Sequence, residues 1–172
     1  MIEKSPTLKD DISKLTNNDW TISFGKEGSG SQTIYTAKEI ILDGNLKKSP
    51  ATTVQILSHE IGHQQYSIPA DMTSKEAYIH SRLANEAAAT MKNIHIQREI
   101  ISNGGIDIGI AGNPSNHQHY NKAYDQFLKT KDAEASRKSI GSIISEGEIT
   151  STTKQPYSIY YGEIYDKAVN KK

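Results

Sequence analysis

The sequence predicts an α+β fold, in which a small N-terminal sheet is followed by a mostly helical second half. Apolar and polar residues alternate over Trp20–Phe24, and short runs rich in β-branched residues follow at 33–36 and 39–42, as expected for strands. Helical patterns separated by glycine and proline breaks then replace the alternation. We expect a single domain over residues 1–172, opened by a polar, irregular or partly helical lead-in segment at 1–19.

The helix boundaries are indicated by capping residues. Ser49 and Pro50 are a typical helix start, because serine caps the first turn and proline suits the first helical position. This helix should end near Ser67, before Pro69. A long second helix and three shorter ones are predicted at 74–102, 120–129, 132–145 and 158–169, with a glycine-containing loop at 104–116.

Composition excludes several classes of function. Lys and Arg number 20, as do Asp and Glu, so neither a nucleic-acid partner nor an anionic membrane surface is expected. No apolar run approaches the roughly 18 residues needed to span a bilayer. The first residues, Met1–Ser5, lack the apolar core of a signal peptide. The absence of cysteine excludes disulfides, thiolate metal sites and cysteine nucleophiles.

The segment Ser58–His63 contains the pattern H-E-x-x-H. On a helix, His59 and His63 are four residues apart and project from one face, so both imidazoles can bind one zinc ion. Glu60 lies beside them, where a carboxylate can act as the general base toward water. Because the chain has only six His, a chance match to this pattern is improbable.

The helix that carries this pattern has two distinct faces. At 100° per residue, Val54, Leu57 and Ile61 cluster on one side of the helix. His59 and His63 fall on the opposite side. The sequence therefore predicts a helix packed against a core on one face and open to a metal site on the other.

The residues after His63 decide which third ligand is available. The metzincin extension is absent, since Tyr66 and Pro69 stand where that family has Gly and His. Peptide deformylases require a cysteine ligand and are excluded too. Asn85 and Glu86, on the next predicted helix, resemble the N-E pair of gluzincin metallopeptidases.

The gluzincin resemblance covers roughly residues 50–100. It implies a zincin-like domain with the sheet beside the zinc helix, Zn²⁺ held by His59, His63 and Glu86, and hydrolysis of peptide or amide bonds with Glu60 as general base. Thr90 departs from the pattern, because several gluzincins have an Asp there that orients a zinc-bound His. Asp107 is the rival third ligand.

A second resemblance concerns the segments Asn85–Ile100 and 147–162, which are similar to small metallopeptidase domains of bacterial polymorphic toxins and secretion-system effectors. It implies a protein or cell-wall peptide as substrate, an immunity protein as a partner, and export or delivery by a non-classical route. The strand region Thr33–Leu42 is the expected source of a sheet edge that binds extended substrate.

The group that stabilises the oxyanion is left open by the sequence. Tyr161, in a tyrosine cluster at 157–165, and His119, in an expected loop with His117, are the candidates. The other two histidines, His80 and His95, are expected on helix surfaces. Two functions from other classes are kept as alternatives: a zinc-binding but inactive pseudo-peptidase that acts as a binding module, and a helical interaction protein without metal.

Overall fold

The computed structural model describes residues 1–170 and confirms the α+β class, with six α-helices and one three-stranded sheet in that part of the chain. The strands are β1 (Thr21–Phe24), β2 (Gln32–Ile34) and β3 (Glu39–Leu42). The helices are α1 (Pro6–Asn17), α2 (Pro50–Gln65), α3 (Lys75–Ser102), α4 (His117–Thr130), α5 (Ala133–Gly147) and α6 (Tyr157–Val169). Within the described residues, none of these helices has the length and apolar character needed to cross a bilayer.

The chain folds into two compact units. The first contains Met1–Gln65 and Ala89–Ala111, and the second contains Tyr66–Ala88 and the described residues from Gly112 onward. Helix α3 is continuous from Lys75 to Ser102 and contributes residues to both units.

Helix α1 is more deeply packed than its polar composition suggests. Leu8 and Leu15 are buried, and Ser5 caps the helix by accepting a hydrogen bond from the Leu8 N–H. The carboxylate of Glu99 accepts further hydrogen bonds from the Thr7 N–H and from the hydroxyl of Ser5. A carboxylate at this end of a helix is favourable, because the first N–H groups are unpaired and carry partial positive charge. One face of α1 is therefore part of the first unit's core.

The sheet has the order β1-β3-β2, with β3 in the centre. Strand β1 pairs with β3 in parallel and β2 pairs with β3 antiparallel, so β2 lies at a sheet edge. The loop between β1 and β2 is tied to the end of β3 by Asp43, whose carboxylate accepts hydrogen bonds from the N–H groups of Gly28 and Gly30. The N–H groups of Asn45, Gly28 and Gly30 hold the pKa of Asp43 below its usual value.

The core of the first unit lies on the apolar face predicted for α2. Val54, Leu57 and Ile61 of that face pack with Ile40 and Leu42 of β3. Leu8 and Leu15 of α1, Ile96 and Ile100 of α3, and Ile108 complete the cluster. Because Ile40, Ile61, Ile96 and Ile100 have no solvent exposure, the rotation of α2 about its axis is set by this core.

The second unit is helical. Its buried apolar side chains come from the first half of α3 and from α4, α5 and α6, and they include Leu83, Tyr120, Tyr124, Ile140 and Tyr161. Gly141 of α5 packs on Leu83 of α3, and Asp132 caps α5 by accepting from the Ala135 N–H. The bounds of α4, α5 and α6 agree with the predicted helices to within about three residues at each end.

Helices α2 and α3 approach each other closely at Gly62. A Cβ atom placed on Gly62 would lie 2.5 Å from the Cα of Ala89 and 2.9 Å from the Cβ of Lys92. Glycine is therefore required at this position of α2, since any side chain would collide with the backbone of α3. The contact is supported by Asp11 of α1, whose carboxylate forms an ion pair with Lys92 and accepts a hydrogen bond from Gln65.

We predict that Gly62→Ala lowers the free energy of unfolding by about 1–3 kcal/mol, because its methyl group must push two helix backbones apart. Gly141→Ala is the matched control, since its Cβ would lie 3.4 Å or more from Leu83, an ordinary contact. That variant should leave stability unchanged or raise it by up to about 1 kcal/mol, as alanine is the better helix former. Urea unfolding of the two metal-free variants measures both changes in the free energy of unfolding. Equal changes would contradict the close contact at Gly62.

Candidate metal centre

Helix α2 places His59 and His63 one turn apart on the face opposite its apolar residues. Their ring centroids are 4.7 Å apart and the ring planes are nearly perpendicular, at 87°. Both side chains are half-buried, whereas Leu57 and Ile61 on the other face are buried. The core-facing apolar side predicted for this helix is thus confirmed, and the two histidines lie off it.

Helix α3 supplies a carboxylate to the same group. One possible ligand atom from each of His59, His63 and Glu86 lies within 4.8 Å of the others, so the three side chains could hold a metal ion. Glu86 is one turn before Ala89, the residue of α3 that approaches Gly62 of α2. Two imidazoles and one carboxylate match the donor set of catalytic zinc sites, which keep a fourth position for water.

Asp107 is placed differently from the three clustered side chains. Its carboxylate is exposed, and Oδ1 accepts hydrogen bonds from the Gln97 side chain at 2.7 Å and from the Gly109 N–H at 2.7 Å. It is not a member of the metal-competent group found among the described residues. Its contacts instead shape the loop after α3, so Asp107 lies outside the group of side chains that could hold a metal ion.

Glu60 is held by the edge strand. The residue is 5% exposed, and the Thr33 hydroxyl lies 2.9 Å from its Oε2 and 2.9 Å from its backbone oxygen. Thr33 is the central residue of β2, so the edge strand fixes the rotamer of the carboxylate next to the first histidine. Another residue of this region, Tyr35, donates a hydrogen bond to the backbone oxygen of His63.

A buried amide supports α2 from the side of α3. Asn93 has no solvent exposure, and its Nδ2 donates to the Ser58 hydroxyl at 3.0 Å. Ser58 in turn donates to the backbone oxygen of Gln55, while Asn93 Oδ1 accepts from the Ala111 N–H. A buried polar network of this kind fixes the register of the helices, because a shift of α2 would leave its members unpaired.

Glu86 is contacted by a tyrosine of α6. The Tyr161 hydroxyl donates to Glu86 Oε1 at 2.5 Å, and both residues are buried. Burial and the charge of Glu86 raise the pKa of Tyr161 well above its usual value, so the phenol is protonated and acts as a donor. Asn85, beside Glu86, donates to the backbone oxygen of Tyr66 at 2.8 Å.

The remaining histidines lie on helices. His117 and His119 were expected in a loop, and this was wrong, because α4 begins at His117. The reason is local: Asn113 caps a short 3₁₀ turn at Pro114–Asn116 that leads directly into α4. His119 is exposed on the first turn of α4, and both His80 and His95 are exposed on α3, as predicted.

Sequence reasoning found the three clustered side chains and Glu60 but missed the residues that orient them. Thr33 and Asn93 have no local pattern that marks them, since each acts through a hydrogen bond to a residue at least 27 positions away. Tyr161 was predicted as a candidate oxyanion donor, but its contact with Glu86, which spans 75 positions, was not predicted. Such contacts become visible only when the helices are packed.

Comparisons with protein-family models, with curated proteins and with solved structures give no match to this chain. Functional inference therefore depends on the geometry and chemistry of its own residues.

Proposed function

We propose that this protein is a zinc-dependent hydrolase of the zincin type that cleaves peptide or amide bonds. The observation that carries the proposal is the grouping of His59, His63 and Glu86 on α2 and α3, with Glu60 next to the first histidine. The H-E-x-x-H pattern alone supplies two ligands and a base. A carboxylate from the following helix completes a three-residue donor set of the kind that catalytic zinc requires.

Each residue of the site has a defined task in this proposal. His59, His63 and Glu86 hold the ion, and zinc bound there supplies Lewis acidity for the scissile carbonyl and for water, whose pKa falls toward about 7. Glu60 accepts a proton from the attacking water and delivers it to the leaving amine. Thr33 keeps the Glu60 carboxylate in one orientation.

Strand β2 is the element best placed to bind an extended peptide. It pairs on one side with β3 and lies at the edge of the sheet, whereas β3, which was also included in the predicted edge region, is central. Its other side pairs with no strand of the described residues, and its backbone N–H and C=O groups would bind a substrate by strand addition. Since Thr33 of β2 also contacts Glu60, this edge connects substrate binding to the general base.

The proposed biological setting is an effector or toxin domain that acts on a protein or cell-wall peptide. It rests on the resemblance of the segments Asn85–Ile100 and 147–162, and it stays a prediction together with the immunity protein and the export route that the resemblance implies.

Metal analysis tests the ligand set. We expect about one zinc per chain for the wild type and loss of zinc for His63→Ala and Glu86→Ala, because each removes one of three donors. Zinc at 100 times its Kd should stabilise the wild type by about 2.7 kcal/mol and raise its Tm, and neither variant should show this gain. Inductively coupled plasma analysis and thermal melts measure both quantities.

Asp107→Ala is the matched control for Glu86→Ala, since both substitutions remove a carboxylate from the region 86–107. It should retain zinc. Retention of zinc by Glu86→Ala together with its loss from Asp107→Ala would exchange the two assignments, and a zinc-free wild type would contradict the proposed function.

Glu60→Gln separates catalysis from metal binding. The amide oxygen can still accept the Thr33 hydrogen bond, so the fold and the zinc content should be unchanged. Turnover of casein and of a cell-wall peptide should fall by at least about 100-fold, because the amide cannot accept the proton of water. Full activity of this variant would refute the mechanism, and a wild type that binds zinc without turnover would indicate a pseudo-peptidase.

Thr33→Val tests the orientation of Glu60. Valine has nearly the same shape as threonine but lacks the donor, so kcat should fall about tenfold while zinc content stays at the wild-type value. Thr33→Ser keeps the hydroxyl and should restore most of the activity. If the serine variant were as slow as the valine variant, packing of the Thr33 methyl group rather than its hydrogen bond would be responsible.

A further inference from the structure

Tyr161 directs its hydroxyl at the carboxylate of Glu86. The two side chains belong to α6 and α3, are 4% and 8% exposed, and are joined by a hydrogen bond of 2.5 Å to Oε1. A short bond from a neutral phenol to a carboxylate is charge-assisted and therefore among the stronger hydrogen bonds in proteins.

The ring of Tyr161 is held in place by its neighbours. The guanidinium of Arg82 lies over the ring, 5.4 Å from its centroid, and the ring of Tyr78 makes an edge contact at 6.5 Å. The next residue of α6 is Gly162, whose missing side chain lets α6 approach Lys75 of α3. Because the ring cannot turn freely, the direction of its hydroxyl is fixed, and with it one oxygen of Glu86.

We propose that Tyr161 is a positioning residue that holds Glu86 in the orientation needed to bind the metal. The proposal rests on the metal centre proposed above and adds to it the group that sets the third ligand. Groups hydrogen-bonded to a metal ligand typically change metal affinity by about 10–100-fold when they are removed.

This role differs from the oxyanion role considered for Tyr161 from the sequence. A group that stabilises an oxyanion must present its donor to the substrate carbonyl. The Tyr161 hydroxyl is instead buried and committed to Glu86. The two roles make opposite predictions, since a positioning residue changes zinc affinity and an oxyanion donor changes kcat at saturating zinc.

The experiment is a titration of the metal-free full chain with zinc against a competing chelator. Tyr161→Phe keeps the ring and removes only the hydroxyl, and we expect its Kd for zinc to rise about 10–100-fold. Tyr165→Phe is the matched control, because Tyr165 is on the same helix and also stacks on Tyr78, with centroids 5.8 Å apart. Its Kd should equal that of the wild type.

A double-mutant cycle shows whether the effect passes through Glu86. Glu86→Ala loses zinc on purification, but its two histidines should still bind zinc weakly in a titration, and Tyr161→Phe should not weaken this binding further because the carboxylate that it orients is gone. An equal loss of affinity in both backgrounds would overturn the proposal and indicate a general effect on folding. Melting temperatures of the metal-free variants provide a reading of folding that is independent of zinc.

The outcomes separate this inference from the proposed function. If the wild type binds one zinc, His63→Ala does not, and Tyr161→Phe binds as tightly as the wild type, the positioning role is refuted and the metal centre stands. Loss of turnover by that variant at saturating zinc would then assign Tyr161 to the oxyanion. A wild type that binds no zinc would refute the metal centre and, with it, the positioning role.

Discussion

The close contact of α2 with α3 at Gly62 is the constraint that positions the helix carrying His59 and His63 within the first unit. A side chain there would lie 2.5 Å from the Cα of Ala89, so the two helices can adopt this separation only because residue 62 is glycine. Gly62 immediately precedes His63, and Ala89 follows Glu86 by one turn. The residues that permit the contact are therefore neighbours along the chain of residues that could bind metal.

The rotation of α2 about its own axis is fixed, as is its distance from α3. Its apolar face enters a core in which Ile61 is fully buried, and on another side Ser58 is bonded to the buried amide of Asn93. The apolar packing and the directional hydrogen bonds both resist rotation of the helix, since rotation would expose the apolar face and leave the buried amide unpaired. Both constraints matter because shifting α2 by one residue would rotate its histidine side chains by about 100° around the helix axis.

The sequence predicted the parts of this structure that have a local cause. Periodicity and capping gave α3 and β3 to within one residue, and the motif gave His59, Glu60 and His63. Glu86 was reached through a family resemblance. The parallel pairing of β1 with β3 and the bonds of Thr33 and Tyr161 to the two glutamates were not predicted, since each joins residues that are distant along the chain. These contacts form only when the helices and strands pack together, and a local sequence pattern carries no information about that packing.

The two glutamates of the site are held in the same chemical manner although different tasks are proposed for them. Glu60, the proposed base, accepts from the hydroxyl of Thr33, and Glu86, the proposed ligand, accepts from the hydroxyl of Tyr161. A hydroxyl donates a single proton in one direction and carries no charge, so it orients a carboxylate without neutralising it. The hydrogen bond also stabilises the charged form of the carboxylate, which is the form that accepts a proton or binds a cation. Each carboxylate is thus oriented by the strand or helix that carries its hydroxyl partner, and it keeps its negative charge.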